Sequence, residues 1–172
     1  METWMTEKEK ALIIKYLDSN DVMLEWGSGG STLEFSKYVK KYYSVEHDAN
    51  WFENMTPLLP PDTNIFIHHV PQNDPRLAGD WPRLRIPTQY EKFETYINFV
   101  DTLNIKYDKV LIDGRARQWC AEKVIKYLND DAVVFIHDFY HPDREEYQSV
   151  LEYFDVVESI TELPSLVVLK KK

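Results

Sequence analysis

Residues 22–32 read Val-Met-Leu-Glu-Trp-Gly-Ser-Gly-Gly-Ser-Thr, a short apolar run that breaks into a glycine-rich turn. Nineteen residues after Gly27 stands Glu46, in the run Tyr43-Ser-Val-Glu-His-Asp48. Where a strand gives way to a helix, glycines let the backbone approach a ligand without obstruction from Cβ. An acid at the tip of the next strand can then accept hydrogen bonds from two ribose hydroxyls. A glycine loop followed by such an acid constrains the chain to a doubly wound α/β sheet that holds an adenosine-containing cofactor at its strand tips.

The loop also discriminates between cofactors. Dinucleotide sites space three glycines as G-x-G-x-x-G so that a pyrophosphate can sit on the helix N-terminus. Here Thr32 takes the third position, and Glu25, two residues before the first glycine, would repel a pyrophosphate. An acid suits a ligand with an ammonium group, and S-adenosylmethionine offers an α-ammonium, a sulfonium and a ribose but no phosphate. The residues expected to bind it are Glu25, Gly27, Ser28, Gly29, Ser31, Thr32, Glu46 and His47. An NAD-dependent oxidoreductase is the rival reading from a different enzyme class. A non-catalytic binding module is the second.

Four segments together resemble the class I S-adenosylmethionine-dependent methyltransferases: Glu25–Thr32, Val45–Asp48, Ile112–Gly114, and His137-Asp138 followed by Arg144-Glu-Glu146. Within that class they are most similar to glucuronoxylan and related glycan O-methyltransferases, including modules of large algal DNA viruses. The likeness spans residues 22–155. It implies a Rossmann-like, mostly parallel seven-stranded sheet finished by an antiparallel hairpin. It also implies methyl transfer to a hydroxyl of a sugar, glycan or similar small molecule.

The rest of the chain has the alternation that such a sheet requires. Thr6-Glu-Lys-Glu9 is a capping box that opens a helix to about Leu17. Strands follow at 22–27, 42–47, 64–69, 109–113 and 132–137, with helices at 32–40, 49–58, 91–104, 118–128 and 143–154 between or after them. Two last strands, 155–161 and 165–170, are joined by too few residues for a parallel crossover and should pair antiparallel. With 172 residues, 44% hydrophobic, the chain can bury one ordinary core and reads as a single domain over 1–172.

The chemistry is expected at the C-terminal strand edge. The strand at 109–113 ends in Asp113-Gly-Arg115, and that at 132–137 ends in His137-Asp138. A hydroxyl acceptor must lose its proton during transfer, so Asp113, His137, Asp138 and Arg115 are the catalytic candidates, with His137 or Asp138 as the base. Alternatively Asp113 and Asp138 hold a divalent ion that acidifies the acceptor; oxygen ligands favour magnesium or manganese, and His137 admits a softer ion. The competing structural roles are N-capping for Asp113, a strand-end turn for His137-Asp138, and plain structural histidines for His68 and His69. Trp51 and Phe52 read as core or as a wall near adenine, and His141 and Arg144 as acceptor contacts or cap neighbours. Residues 70–90, with four prolines, Trp81 and Tyr90, read either as a substrate lid or as a stiffened surface excursion.

A net charge of −9 argues against a generic nucleic-acid binder, although Arg76, Arg83, Arg85, Arg115 and Arg117 could line a local basic groove. The single Cys120 suits a reducing compartment. No apolar run approaches the ~18–20 residues that span a bilayer, and the N-terminus lacks a signal-peptide pattern. A cytoplasmic enzyme with a small-molecule or glycan acceptor, no nucleic-acid partner and no membrane attachment is therefore expected. The sequence leaves the oligomeric state open.

Overall fold

The computed structural model describes residues 1–73 and 90–172. Helix α1 (Glu7–Lys15) is opened by a closed capping box: the Thr6 hydroxyl accepts from Glu9 N, and the Glu9 carboxylate accepts from Thr6 N at 2.7 Å. Then come β1 (Val22–Trp26), α2 (Gly30–Phe35), β2 (Lys41–Glu46), α3 (Ala49–Met55) and β3 (Ile65–His69). After them follow α4 (Tyr90–Asn98), α5 (Val100–Leu103), β4 (Tyr107–Ile112), α6 (Arg117–Val124), β5 (Leu128–His137), β6 (Phe154–Ile160) and β7 (Leu166–Lys171). The seven strands lie in the order β3-β2-β1-β4-β5-β7-β6. The first five are parallel, and β7 runs antiparallel to both β5 and β6. This is the expected parallel sheet with a terminal antiparallel hairpin.

Strand alternation distributes the core over two faces. Leu24, Trp26, Val110, Ile112, Val134 and Ile136 belong to one buried cluster that includes Tyr96 of α4 and Cys120 of α6. Met23, Leu111, Val133 and Phe135 belong to the other, with Ile13 of α1 and Phe35 of α2. Coverage on both faces is why these strands read as near-continuous apolar runs.

Register then decides where the functional residues emerge. Trp26 lies beside Val45 and Ile112, and Ile112 lies beside Ile136. The residues that come next in the chain, Gly27, Glu46, Asp113 and His137, therefore leave the sheet side by side along one edge.

The helices expected over 32–40, 49–58 and 118–128 each end in a short 3-10 turn, and three further elements differ from the sequence expectation. The helix expected over 91–104 is two helices, the second ending at Asn104 in the left-handed region (φ 47°). β5 begins at Leu128, four residues early, across a register irregularity against β4. The helix expected over 143–154 is a 3-10 helix, Glu145–Glu152. Its buried residues Tyr147 and Val150 are three apart, and tighter winding stacks such a pair on one face. Of the segment 70–90, read as a substrate lid or a surface excursion, residues 74–89, with Trp81, Arg76, Arg83 and Arg85, lie outside the described residues. Among the described residues no helix is long and apolar enough to cross a membrane.

Candidate active site

The glycine loop is built as one hydrogen-bonded unit. Gly27 has φ 97°, a conformation that side chains resist, and a Cβ there would stand 2.5 Å from Gly114 N. Its glycine thus lets the β1 tip touch the Asp113-Gly114 turn. At Gly30 a Cβ would run into the backbone of Glu2 and Thr3, so the N-terminal segment packs over the start of α2. Both glycines make room for protein backbone, a use the loop motif alone does not announce.

Glu25 lies on the inward face of β1, fully buried. Its carboxylate accepts from Ser31 Oγ and Thr32 Oγ1, each at 2.5 Å, and from Ser44 Oγ at 2.8 Å. Thr32 Oγ1 in turn accepts from Gly29 N at 2.9 Å. Burial raises the Glu25 pKa, the three hydroxyls pull against it, and the outcome is a value pushed up to about 7. Glu25, expected to face a ligand ammonium, is engaged here by the loop's own hydroxyls. The carboxylate sits beneath the loop, its oxygens taken by loop hydroxyls, and it acts by shaping the loop.

Glu46 completes the unit from β2. It is 3% exposed and accepts from Ser28 N at 2.9 Å and from His47 N and Asp48 N at 2.8 Å each. Ser28 Oγ shares a 2.7 Å hydrogen bond with Ser44 Oγ, which links the Glu46 and Glu25 ends. Glu25, Ser28, Ser31, Thr32 and Glu46 are thus brought together. The His47 ring has its Nδ1 3.0 Å from Glu46 and packs T-shaped with Phe93 and Tyr96. Trp51, in α3, donates its indole N–H to Ser28 O, and Trp4 packs against it edge-on at 5.6 Å. Phe52 stacks on His69 at 5.3 Å beside the β3 tip.

At the neighbouring β4 and β5 tips, His137 is 5% exposed and faces carboxylates on both sides. Its Nδ1 is 2.8 Å from Asp113 Oδ1 and 3.7 Å from Asp138 Oδ2, and its Nε2 is 3.2 Å from Glu9 Oε1. Burial alone would depress this imidazole, but Asp113, Glu9 and Asp138 outweigh it and push its pKa up to about 10. The same contacts hold Asp113 below the usual carboxylate range despite its burial. The surrounding carboxylates thus favour the imidazolium form of His137. Asp138 stands in the left-handed region (φ 54°), as does Ala116 (φ 55°), so two strained residues flank the cluster.

Two members of the cluster escaped the sequence reading. Glu9 read only as the far half of a capping box, yet its second oxygen reaches a histidine 128 residues away. The sequence offers Arg117 only as part of a local basic groove. Its guanidinium lies 3.4 Å from both Asp113 Oδ1 and Asp138 Oδ2. Arg115, the arginine expected there, is half-buried; burial first, then Arg144 and Arg117 nearby, bring its pKa down to about 10.

Asp113, His137 and Asp138 also offer one ligand atom each within 4.8 Å of one another, the spacing a metal needs. His137 is not free to serve as one of its ligands. Both ring nitrogens of His137 already face carboxylates, whereas a metal needs a neutral imidazole with a free lone pair.

No protein-family model matches the chain, and no curated protein matches it by sequence. Among solved structures it is similar to a methyltransferase-like protein from Silicibacter pomeroyi, with 23% identity and a TM-score of 0.69, over 99% of this chain and 88% of that one. It is also similar to an rRNA methylase from Streptococcus thermophilus (12% identity, TM-score 0.65, 98% of each chain). A third is Aeropyrum pernix fibrillarin with natively bound S-adenosyl-L-methionine (14% identity, TM-score 0.62, 95% of this chain and 74% of that one). At these identities the likeness establishes the fold, a class I methyltransferase sheet, and the activity has to be argued from the site.

Proposed function

We propose that this protein is an S-adenosylmethionine-dependent O-methyltransferase acting on a hydroxyl of a sugar, glycan or similar small molecule. The observation that carries this reading is the adjacency of two built units on one sheet edge. The acid-lined glycine loop at the β1 and β2 tips lies next to the Asp113-His137-Asp138 cluster at the β4 and β5 tips. The loop fits the cofactor chemically: residues 25–32 include no Lys or Arg to hold a phosphate, while Glu46 at the β2 tip suits a ribose diol. Glu46 would hold the ribose, the 27–31 backbone the amino-acid end, and Trp51 with the Phe52–His69 stack would flank the adenine side.

When bound, the cofactor supplies an electrophilic methyl carbon on a sulfonium and departs as a neutral thioether. As the acceptor oxygen takes that methyl group, its hydroxyl proton would have to pass to a base on the protein. Asp138 is that base. Of the three carboxylates around His137 its side chain is the most open, 33% exposed against 24% for Asp113 and 0% for Glu9. Asp113 and Glu9 are spent on clamping the imidazolium, which keeps the cluster rigid while Asp138 takes the proton. Positioning of the acceptor supplies the rest of the acceleration.

The glycan class rests on the resemblance carried by Glu25–Thr32, Val45–Asp48, Ile112–Gly114 and His137-Asp138 with Arg144-Glu-Glu146, and a cytoplasmic setting on the lone, buried Cys120 thiol. The test is methyl transfer from labelled cofactor to a panel of sugars, phenols and RNA. Asp138→Asn should lower turnover on the true acceptor by about 10²–10⁴-fold, the usual worth of a general base, and leave cofactor affinity near wild type. Transfer to RNA alone would remove the glycan reading. Full turnover by the Asn variant would move the base elsewhere.

A further inference from the structure

Arg117 opens α6 and folds its guanidinium back over the strand tips. Its Nε donates to Gly114 O at 3.0 Å, its Nη2 to Asp113 O at 3.0 Å, and its Nη1 to His137 O. The ring of Tyr147 lies 5.6 Å from its Cζ. Three carbonyls and an aromatic ring thus fix a side chain that is usually mobile, and its side chain is only 11% exposed. From that position Nη2 stands 3.4 Å from Asp113 Oδ1 and Nη1 3.4 Å from Asp138 Oδ2. One cation bridges the two acids at adjacent strand tips.

Those two carboxylates are the anionic ligands that a divalent ion at this edge would require, since hard cations are held by charged oxygens in direct contact. An ion on both oxygens would have to share them with a permanent positive charge that the backbone already holds in place. We propose that Arg117 takes the place of a divalent ion between the β4 and β5 tips, so that the site carries its own monovalent cation and binds no metal there. Arg117 is then a positioning residue: it ties the two strand tips together and offsets part of the charge of Asp113 and Asp138. This inference does not depend on the methyltransferase reading, because cation binding and cofactor binding are separate measurements.

The probe is Mn²⁺ alone, followed by electron paramagnetic resonance on the full chain. Wild type and Arg117→Lys should show no stoichiometric site. Arg117→Met, which keeps the length and removes the charge, should gain one Mn²⁺ bound at least about tenfold tighter, because ligand charge sets such affinities, and Arg117→Met with Asp138→Asn should lose it again. A stoichiometric Mn²⁺ site in wild type that disappears in Asp138→Asn overturns the proposal. So does an Arg117→Met protein that is folded by circular dichroism and binds no more Mn²⁺ than wild type. If Arg117→Met does not fold, the wild-type and Arg117→Lys titrations decide alone: no site in either supports the proposal, and a site in either that is lost with Asp138→Asn overturns it.

Discussion

Glu9→Gln isolates the ion pair on which the cluster depends. Glutamine keeps an oxygen that can accept from Thr6 N, so the cap of α1 survives, but it removes the negative charge facing His137 Nε2 at 3.2 Å. An imidazole raised from 6.5 to about 10 corresponds to roughly 5 kcal/mol of folded-state stabilisation, shared among three carboxylates. Glu9, fully buried and 3.2 Å from the ring nitrogen, should account for about a third of it, roughly 1.5–2 kcal/mol. The folded-state pKa lies above the unfolded one, so this stability is complete below pH 6.5 and is lost as pH rises through about 10. Glu9 itself, held below 4.5, must be ionised, which sets the lower limit of the window. Urea unfolding of wild type and variant should therefore differ most between pH 5 and 6.5 and converge towards pH 10. At equal m-values the shift appears in the midpoint. A variant within about 0.5 kcal/mol of wild type at pH 6, the spread of an ordinary surface change, would refute the buried-pair reasoning. A difference that does not shrink with pH would refute its electrostatic origin.

Two further substitutions probe the loop. Gly27→Ala should cost at least about 2 kcal/mol in urea unfolding, since it adds a side chain at φ 97° and drives Cβ onto Gly114 N; a variant as stable as wild type would mean that the β1 and β4 tips do not touch as described. Glu25→Gln should gain stability relative to wild type as pH rises from 4.5 to 7. The buried acid's folded pKa is raised to about 7, so its ionisation opposes folding above that value and ceases to do so below 4.5; the relative gain should reach about 3 kcal/mol at most. Parallel pH profiles for the two proteins would show that Glu25 is not the strained acid described.

Local patterns made most of the fold readable, and distant partners hid most of the rest. The capping box at Thr6 and Glu9, the apolar strands and the short terminal connection each predict their element because neighbours in sequence cause them. The loop and the strand-tip acids were visible for the same reason: parallel register brings every strand end to one edge. Glu9 was hidden because the cap accounts fully for its presence, and nothing local points to His137. Arg117 was hidden because Ala116 adopts the left-handed region, which sends the following side chain back over the strand tips, while the sequence offers Arg115 as the nearer candidate. The burial of Glu25 was legible in principle. It shares a strand face with Met23, and the hydroxyls of Ser31, Thr32 and Ser44 stand ready to receive it, a signal that outranks charge as a guide to its role.

The central claim, that the β1–β2 edge binds S-adenosylmethionine through its ribose, is tested most directly by calorimetry with S-adenosylhomocysteine and NAD on wild type and Glu46→Ala. S-adenosylhomocysteine should bind wild type at one site, NAD should not, and Glu46→Ala should weaken the binding by at least about tenfold, since each charge-assisted hydrogen bond to the ribose is worth roughly 1.5–3 kcal/mol. Binding of NAD with no binding of S-adenosylhomocysteine, or an unchanged dissociation constant in a folded Glu46→Ala protein, would contradict it.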